Sequence, residues 1–105
     1  MAWLLLFVAG VFEIVWAYTM KLSQGFTRPA ASIITLLAMV ASFALLSLSM
    51  RTLPLGTAYT VWTGIGAVGA FLVGITVLGE PTNASRIVAA VLILSGILLM
   101  KASSA

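Results

Sequence analysis

The stretch AWLLLFVAGVFEIVWAYTMK, residues 2–21, decides the fold. Between Ala2 and Met20 its only charge is Glu13. About 20 apolar residues in a helix cross roughly 30 Å of hydrocarbon, so this run is long enough to span a bilayer. A cleavable leader fits poorly. No basic residue precedes the run, no A-x-A cleavage pattern follows it, and Glu13 would interrupt its apolar centre. Three more apolar runs come after it, so it reads as a retained span.

Outward from this run the pattern repeats. KLSQGFTRP, residues 21–29, is a polar turn with Gly25 and Pro29 as breakers. The second span, residues 30–50, is uncharged, and RTLPLG, residues 51–56, turns the chain again. The third span, residues 57–78, is uncharged and carries Gly64, Gly66, Gly69 and Gly74. GEPTNASR, residues 79–86, leads to the fourth. Residues 87–100 offer only 14 uninterrupted positions, short of a full crossing. Residues 84–101 suffice if the helix begins just after Pro81 and its neighbours, with Arg86 and Lys101 snorkelling to opposite interfaces. The spans are thus expected at about 2–20, 30–50, 57–78 and 84–101, in one four-helix transmembrane domain of residues 1–105. The fold class is an all-α membrane protein.

Composition points the same way. Hydrophobic residues make up 63% and charged residues 7%, with a mean hydropathy of +1.26, whereas about a quarter of a soluble domain is charged. The expected location is the inner (plasma) membrane, crossed several times. The net charge of +3 comes from five basic and two acidic residues, and the basic ones stand singly at the ends of apolar runs, so nothing suggests nucleic-acid binding. Without Cys or His there are no disulfides, no thiol chemistry and no histidine metal sites. No nucleophile with a base, metal cage or phosphate loop is visible. An enzyme is not expected, and neither a cofactor nor a metal.

Charge leaves the orientation open. Four spans put both termini on one side with Arg51 and Lys101, facing Lys21, Arg28 and Arg86 on the other. Two against three is almost no bias, while orientation needs a clear Lys/Arg excess on one side. Either one well-placed lysine decides the matter, or the chain inserts both ways and pairs with an inverted copy. Size favours an oligomer: four helices are expected to pack as a compact bundle with little room for a wet centre. Two inverted copies would supply what larger transporters encode as inverted repeats.

Glu13 carries the functional reading. A charge at this depth costs about 2.5–3.5 kcal/mol on insertion scales and is kept, as a rule, because it works. No buried Lys or Arg is available to pair with it, which leaves a hydrogen-bonded structural acid as the bland reading. Trp16 shares its helix face, and Gly10 and Ala17 lie beside it and leave space. In the third span Tyr59, Trp62, Thr63 and Gly66 follow at i, i+3, i+4 and i+7 and present one polar-aromatic face. In the second, Ser42 lies one turn from Met39 and could donate to a carboxylate, although serines also bond back to their own helix. The three aromatics fit an interfacial belt as well as a site. Depth bears on this choice: Trp16 lies roughly 7 Å beyond mid-span towards Lys21, and Trp62 roughly 8 Å towards Arg51. Inverting a second copy levels its Trp62 with this chain's Trp16. A carboxylate with aromatic walls suits a cation, since aromatic faces add about 0.5–2 kcal/mol. Protons and the cation would compete for Glu13, and competition is the basis of antiport.

From EIVWA, residues 13–17, through LPLGTAYTVWTGIGAVG, residues 53–69, to SGILLMK, residues 95–101, the chain resembles the small multidrug resistance family. Trp16 and the WTGIG segment resemble its guanidinium exporters. The resemblance implies an antiparallel, dual-topology homodimer of four-helix subunits that exports guanidinium in exchange for protons. Glu13 of each subunit would be the shared proton and cation site, surrounded by Trp16, Ser42, Tyr59 and Trp62, with Gly10, Met39 and Thr63 at its edge. Gly64 and Gly66 would form the bend that lets subunits exchange conformation, and Ser95 and Gly96 the small-residue face joining fourth helices. Thr60, where the family typically has alanine, and Tyr18-Thr19-Met20 ahead of Lys21 depart from the pattern. They keep a broader quaternary ammonium exporter as the alternative, because such ligands lack donors and rely on aromatic walls. A dual-topology ion channel is the more distant one.

Overall fold

A computed structural model describes residues 1–103. Four helices follow one another: α1 (Ala2–Leu22), α2 (Pro29–Ser49), α3 (Leu55–Thr76) and α4 (Ala84–Ala102). Each is long and apolar enough to cross a membrane.

Local chemistry sets the helix ends. Arg28 precedes a proline and is held extended at φ −100°, ψ 115°, so α2 starts at Pro29, whose missing N–H costs nothing at a first helical position. Pro54 stands just outside α3 as its N-cap, extended at φ −61°, ψ 151°. The helix starts at Leu55, two residues ahead of the expected Thr57. At α4 the Asn83 side chain accepts the Arg86 N–H at 3.0 Å, an N-cap that fixes the start at Ala84. After α3, Gly79 adopts φ +70°, and the Leu78 and Glu80 N–H groups return to the Val73 and Gly74 carbonyls.

The helices do not form the compact bundle expected from their number. The molecule is a slab with extents of 43 × 34 × 16 Å, little thicker than one helix with its side chains. In it α1 is central, packed on α2 and α3, while the α4 backbone comes close only to that of α3. No residue of α4 is buried. The reason lies in the solvent. Lipid is as apolar as leucine, so an all-apolar helix gains nothing by hiding its side chains, and shape complementarity decides contact instead. α4 meets α3 where Gly64 lacks a side chain: a Cβ there would come within 2.7 Å of the Ile97 Cδ1. At the far end of α4 the Lys101 Nζ lies 5.2 Å from the Trp3 ring centroid, a cation–π contact.

The core sits towards the Arg51 end, where Leu6 and Ala9 of α1, Leu46 of α2, and Ala58, Val61 and Trp62 of α3 close on each other. Towards the Lys21 end α1 and α2 are tied by buried hydroxyls, Thr35 Oγ1 donating to Thr19 Oγ1 at 2.7 Å. Thus α1 and α2 are pinned together along their length, and α3 is set against both.

Candidate functional site

Glu13 stands at the middle of α1 and reaches α3 where α3 has no side chain. A Cβ on Gly66 would run into the Glu13 carboxyl. The same reciprocity continues on both sides, with Gly10 under Ile65 and Gly69 under Ile14. The space beside the carboxylate therefore comes from Gly66. Gly10, expected to provide it, instead admits Ile65. Glu13 Oε1 is buried and has no hydrogen-bond partner, and no lysine or arginine reaches it among the described residues. Leaving a buried polar atom unmatched is costly, so a group of this kind implies a ligand or a proton.

A series of aromatic rings begins at Trp16, about one turn beyond Glu13 on α1, and crosses α2 to α3. Trp16 meets Phe43 edge-on at 6.3 Å, Phe43 lies 5.7 Å from Trp62, and Trp62 lies 5.7 Å from Tyr59. The four rings form one chain across α1, α2 and α3. Trp16 Nε1, like Glu13 Oε1, is buried without a partner. Tyr59 closes the chain at the surface, 54% exposed. Phe43 was not singled out by the sequence reading. Its signal was being the sole aromatic of α2 and the immediate neighbour of Ser42.

Ser42 is fully buried, and its proton does not go to a carboxylate. Its Oγ donates to the Ala9 carbonyl at 2.7 Å and accepts from Trp62 Nε1 at 2.9 Å. The Ala9 carbonyl is also the helical acceptor for the Glu13 N–H, four residues on. Ser42 is thus joined to Glu13 through backbone and to the aromatic wall through the indole. Ser42→Ala leaves the Trp62 N–H buried without an acceptor, and a loss of about 1–3 kcal/mol of stability is expected. Thermal unfolding of the purified protein in detergent checks this, with Ser47→Ala, an exposed serine of the same helix, as the near-neutral comparison.

Other expected positions fall elsewhere. Thr63 lies outside the Glu13 cluster. It lines a cleft of about 500 Å³ between α3 and α4, with Tyr59, Gly64, Gly96 and Ile97. The i, i+3, i+4, i+7 stripe is broad: Trp62 and Thr63 lie 100° apart around the helix, so α2 takes one edge and α4 the other. Met39 is half-buried in α2. Gly64 and Gly66 lie within one uninterrupted α3, each admitting a neighbouring side chain. Ser95 and Gly96 are exposed, and a Cβ on Gly96 would touch nothing within 4 Å.

A carboxyl with one buried, partnerless oxygen, about a turn from a chain of aromatic rings on a four-span scaffold, agrees with what comparison finds. The family model for "Small Multidrug Resistance protein" matches residues 1–93. The chain belongs to the small multidrug resistance family. Proteins named "Guanidinium exporter" from Citrobacter freundii and Klebsiella oxytoca are 53% identical to it over 104 residues, 99% of each chain. One of the same name from Yersinia pseudotuberculosis is 53% identical over 99% of this chain and all of its own. Membership makes this a multi-pass membrane protein of a transporter family and not an enzyme.

Proposed function

We propose that the protein is a proton-coupled antiporter that exports guanidinium, and small substituted guanidiniums, across the inner membrane by alternating access. The observation that carries this reading is the Glu13 carboxyl, seated on Gly66, its Oε1 buried with no protein partner. Full-length similarity to proteins named guanidinium exporters supports the choice of cation. Guanidinium is planar and can donate two parallel hydrogen bonds to one carboxylate, while its faces stack on aromatic rings. Trp16, Tyr59 and Trp62 would supply those faces, and Ser42 would hold Trp62 in place.

The functional unit in this proposal is a dual-topology homodimer. One slab 16 Å thick is too thin to enclose a wet site, and a second, inverted copy would cover it and bring both Glu13 side chains together. The unburied face of α4, with Ser95 and Gly96, would then join the copies. Gly64 and Gly66 would let α3 bend as the dimer exchanges inward- and outward-open forms. An inverted pair predicts that Thr52→Cys, in the α2–α3 turn, is modified by impermeant thiol reagents from both membrane faces in whole cells and inverted vesicles. Labelling confined to one face contradicts the dual topology.

Transport tests the function itself. In proteoliposomes holding this protein alone, an acidic interior is expected to drive guanidinium inward against its gradient as protons leave. Guanidinium flux that ignores an imposed proton gradient would mark a channel and overturn the antiport reading.

A further inference from the structure

Resting on this antiport reading, we propose that protons leave Glu13 by a route of their own, along the crevice between α1 and α3, with Glu80 as its outer acceptor. A cavity of about 230 Å³ opens there at the Lys21 end. Ala17, Tyr18 and Lys21 line it from α1, Ala70, Val73 and Gly74 from α3, and Leu78 and Glu80 from the segment that follows. Ala17 stands one helical turn beyond Glu13, and Ala70 one turn beyond Gly66, against which the carboxyl rests. One turn is about 5.4 Å, so the inner end of the cavity lies within reach of one or two bridging waters. Its volume holds several, and Ala17 and Ala70 at its inner end are small.

Two glycines seat Glu80 at the mouth. Gly79 turns the chain at φ +70°, and the Glu80 N–H returns to the Gly74 carbonyl at 2.9 Å. A Cβ on Gly74 would come within 2.5 Å of Glu80 Oε1, so its absence makes the seat. This places a carboxylate beside the C-terminal end of α3. The charged and titratable groups around it are Tyr18 and Lys21 of α1 and Arg86 of α4, which shares a neighbouring cavity with Glu80. α3 adds none. Lys21 at the rim repels guanidinium, while water and the Tyr18 hydroxyl can pass a proton in either direction. As guanidinium arrives at the carboxylate, the Glu13 O–H bond breaks, the proton moves along the waters, and the Glu80 carboxylate takes it before releasing it to solution.

Stopped-flow mixing of the purified protein with guanidinium in weakly buffered detergent, followed by a pH dye, reads this step. Ala70→Leu fills the crevice and is expected to slow proton release at least tenfold while guanidinium affinity stays within about twofold. Release at the wild-type rate overturns the route. If Ala70→Leu does not fold, Glu80→Gln replaces it: slower release at unchanged affinity supports the route, and an unchanged rate overturns it. A wild-type protein that binds guanidinium and releases no proton fails the antiport reading itself, and the route falls with it. Ala70→Cys should also react with methyl methanethiosulfonate at least tenfold faster than lipid-facing Leu72→Cys, since only an ionised thiol reacts. Equal rates would show a dry crevice and overturn the proposal.

Discussion

Glu13→Gln is expected to abolish proton-driven guanidinium accumulation while leaving the protein folded. The amide has the size of the carboxyl and can occupy the same seat on Gly66, so packing is preserved. What disappears is the charge and the proton. Glutamine cannot neutralise a guanidinium, and it cannot be emptied by deprotonation, so neither half of the exchange remains. Charged hydrogen bonds are worth roughly twice neutral ones, so binding should fall below detection at millimolar guanidinium. Uptake into proteoliposomes with an acidic interior checks the prediction, with size-exclusion behaviour confirming the fold. Accumulation by the glutamine variant would remove Glu13 from the mechanism.

Gly66→Ala is the second large effect, and its sign is informative. Alanine favours an α-helix over glycine by about 1 kcal/mol, so α3 itself should not suffer. The new methyl nevertheless falls on the Glu13 carboxyl, which must leave its place. A misplacement of about 1 Å at a reacting group can cost on the order of a hundredfold, and a loss of that size in guanidinium transport is expected. Gly56→Ala in the first turn of the same helix meets nothing within 4 Å and should transport normally. The pair separates a steric effect on the site from any general stiffening of α3. Equal activity in the two variants would mean that the Glu13–Gly66 contact is incidental.

How much of this could be read from the sequence depends on what a membrane span records. Length and charge locate the spans, and the Asn83 cap resolves the fourth, whose apolar run alone is short. Glu13 stands out because a lone acid among apolar residues has no ordinary explanation. The neighbours of Glu13 are less visible. All four helices are apolar around their circumference, so no hydrophobic face marks which side meets protein and which meets lipid. Helical spacing grouped Thr63 with Trp62, and only the positions of α2 and α4 separate them. Gly66 shows the same limit. Its type suggests either flexibility or close approach, and the side chain that fills its space belongs to another helix. Ser42 was recognisable as a polar group at depth, yet its two partners, Ala9 and Trp62, lie on α1 and α3, at a register that no periodicity within α2 encodes. The slab shape follows from the same cause, because lipid removes the drive that would have closed α4 over the other helices.

The central claim is that one carboxyl holds a proton or guanidinium and never both together. The dissociation constant of guanidinium, measured on the purified protein across acidic to alkaline pH, tests it most directly. The account predicts affinity that weakens about tenfold for each unit of falling pH once Glu13 is protonated, because every bound cation must displace a proton. A dissociation constant that stays flat across that range in a folded, transporting protein would contradict it.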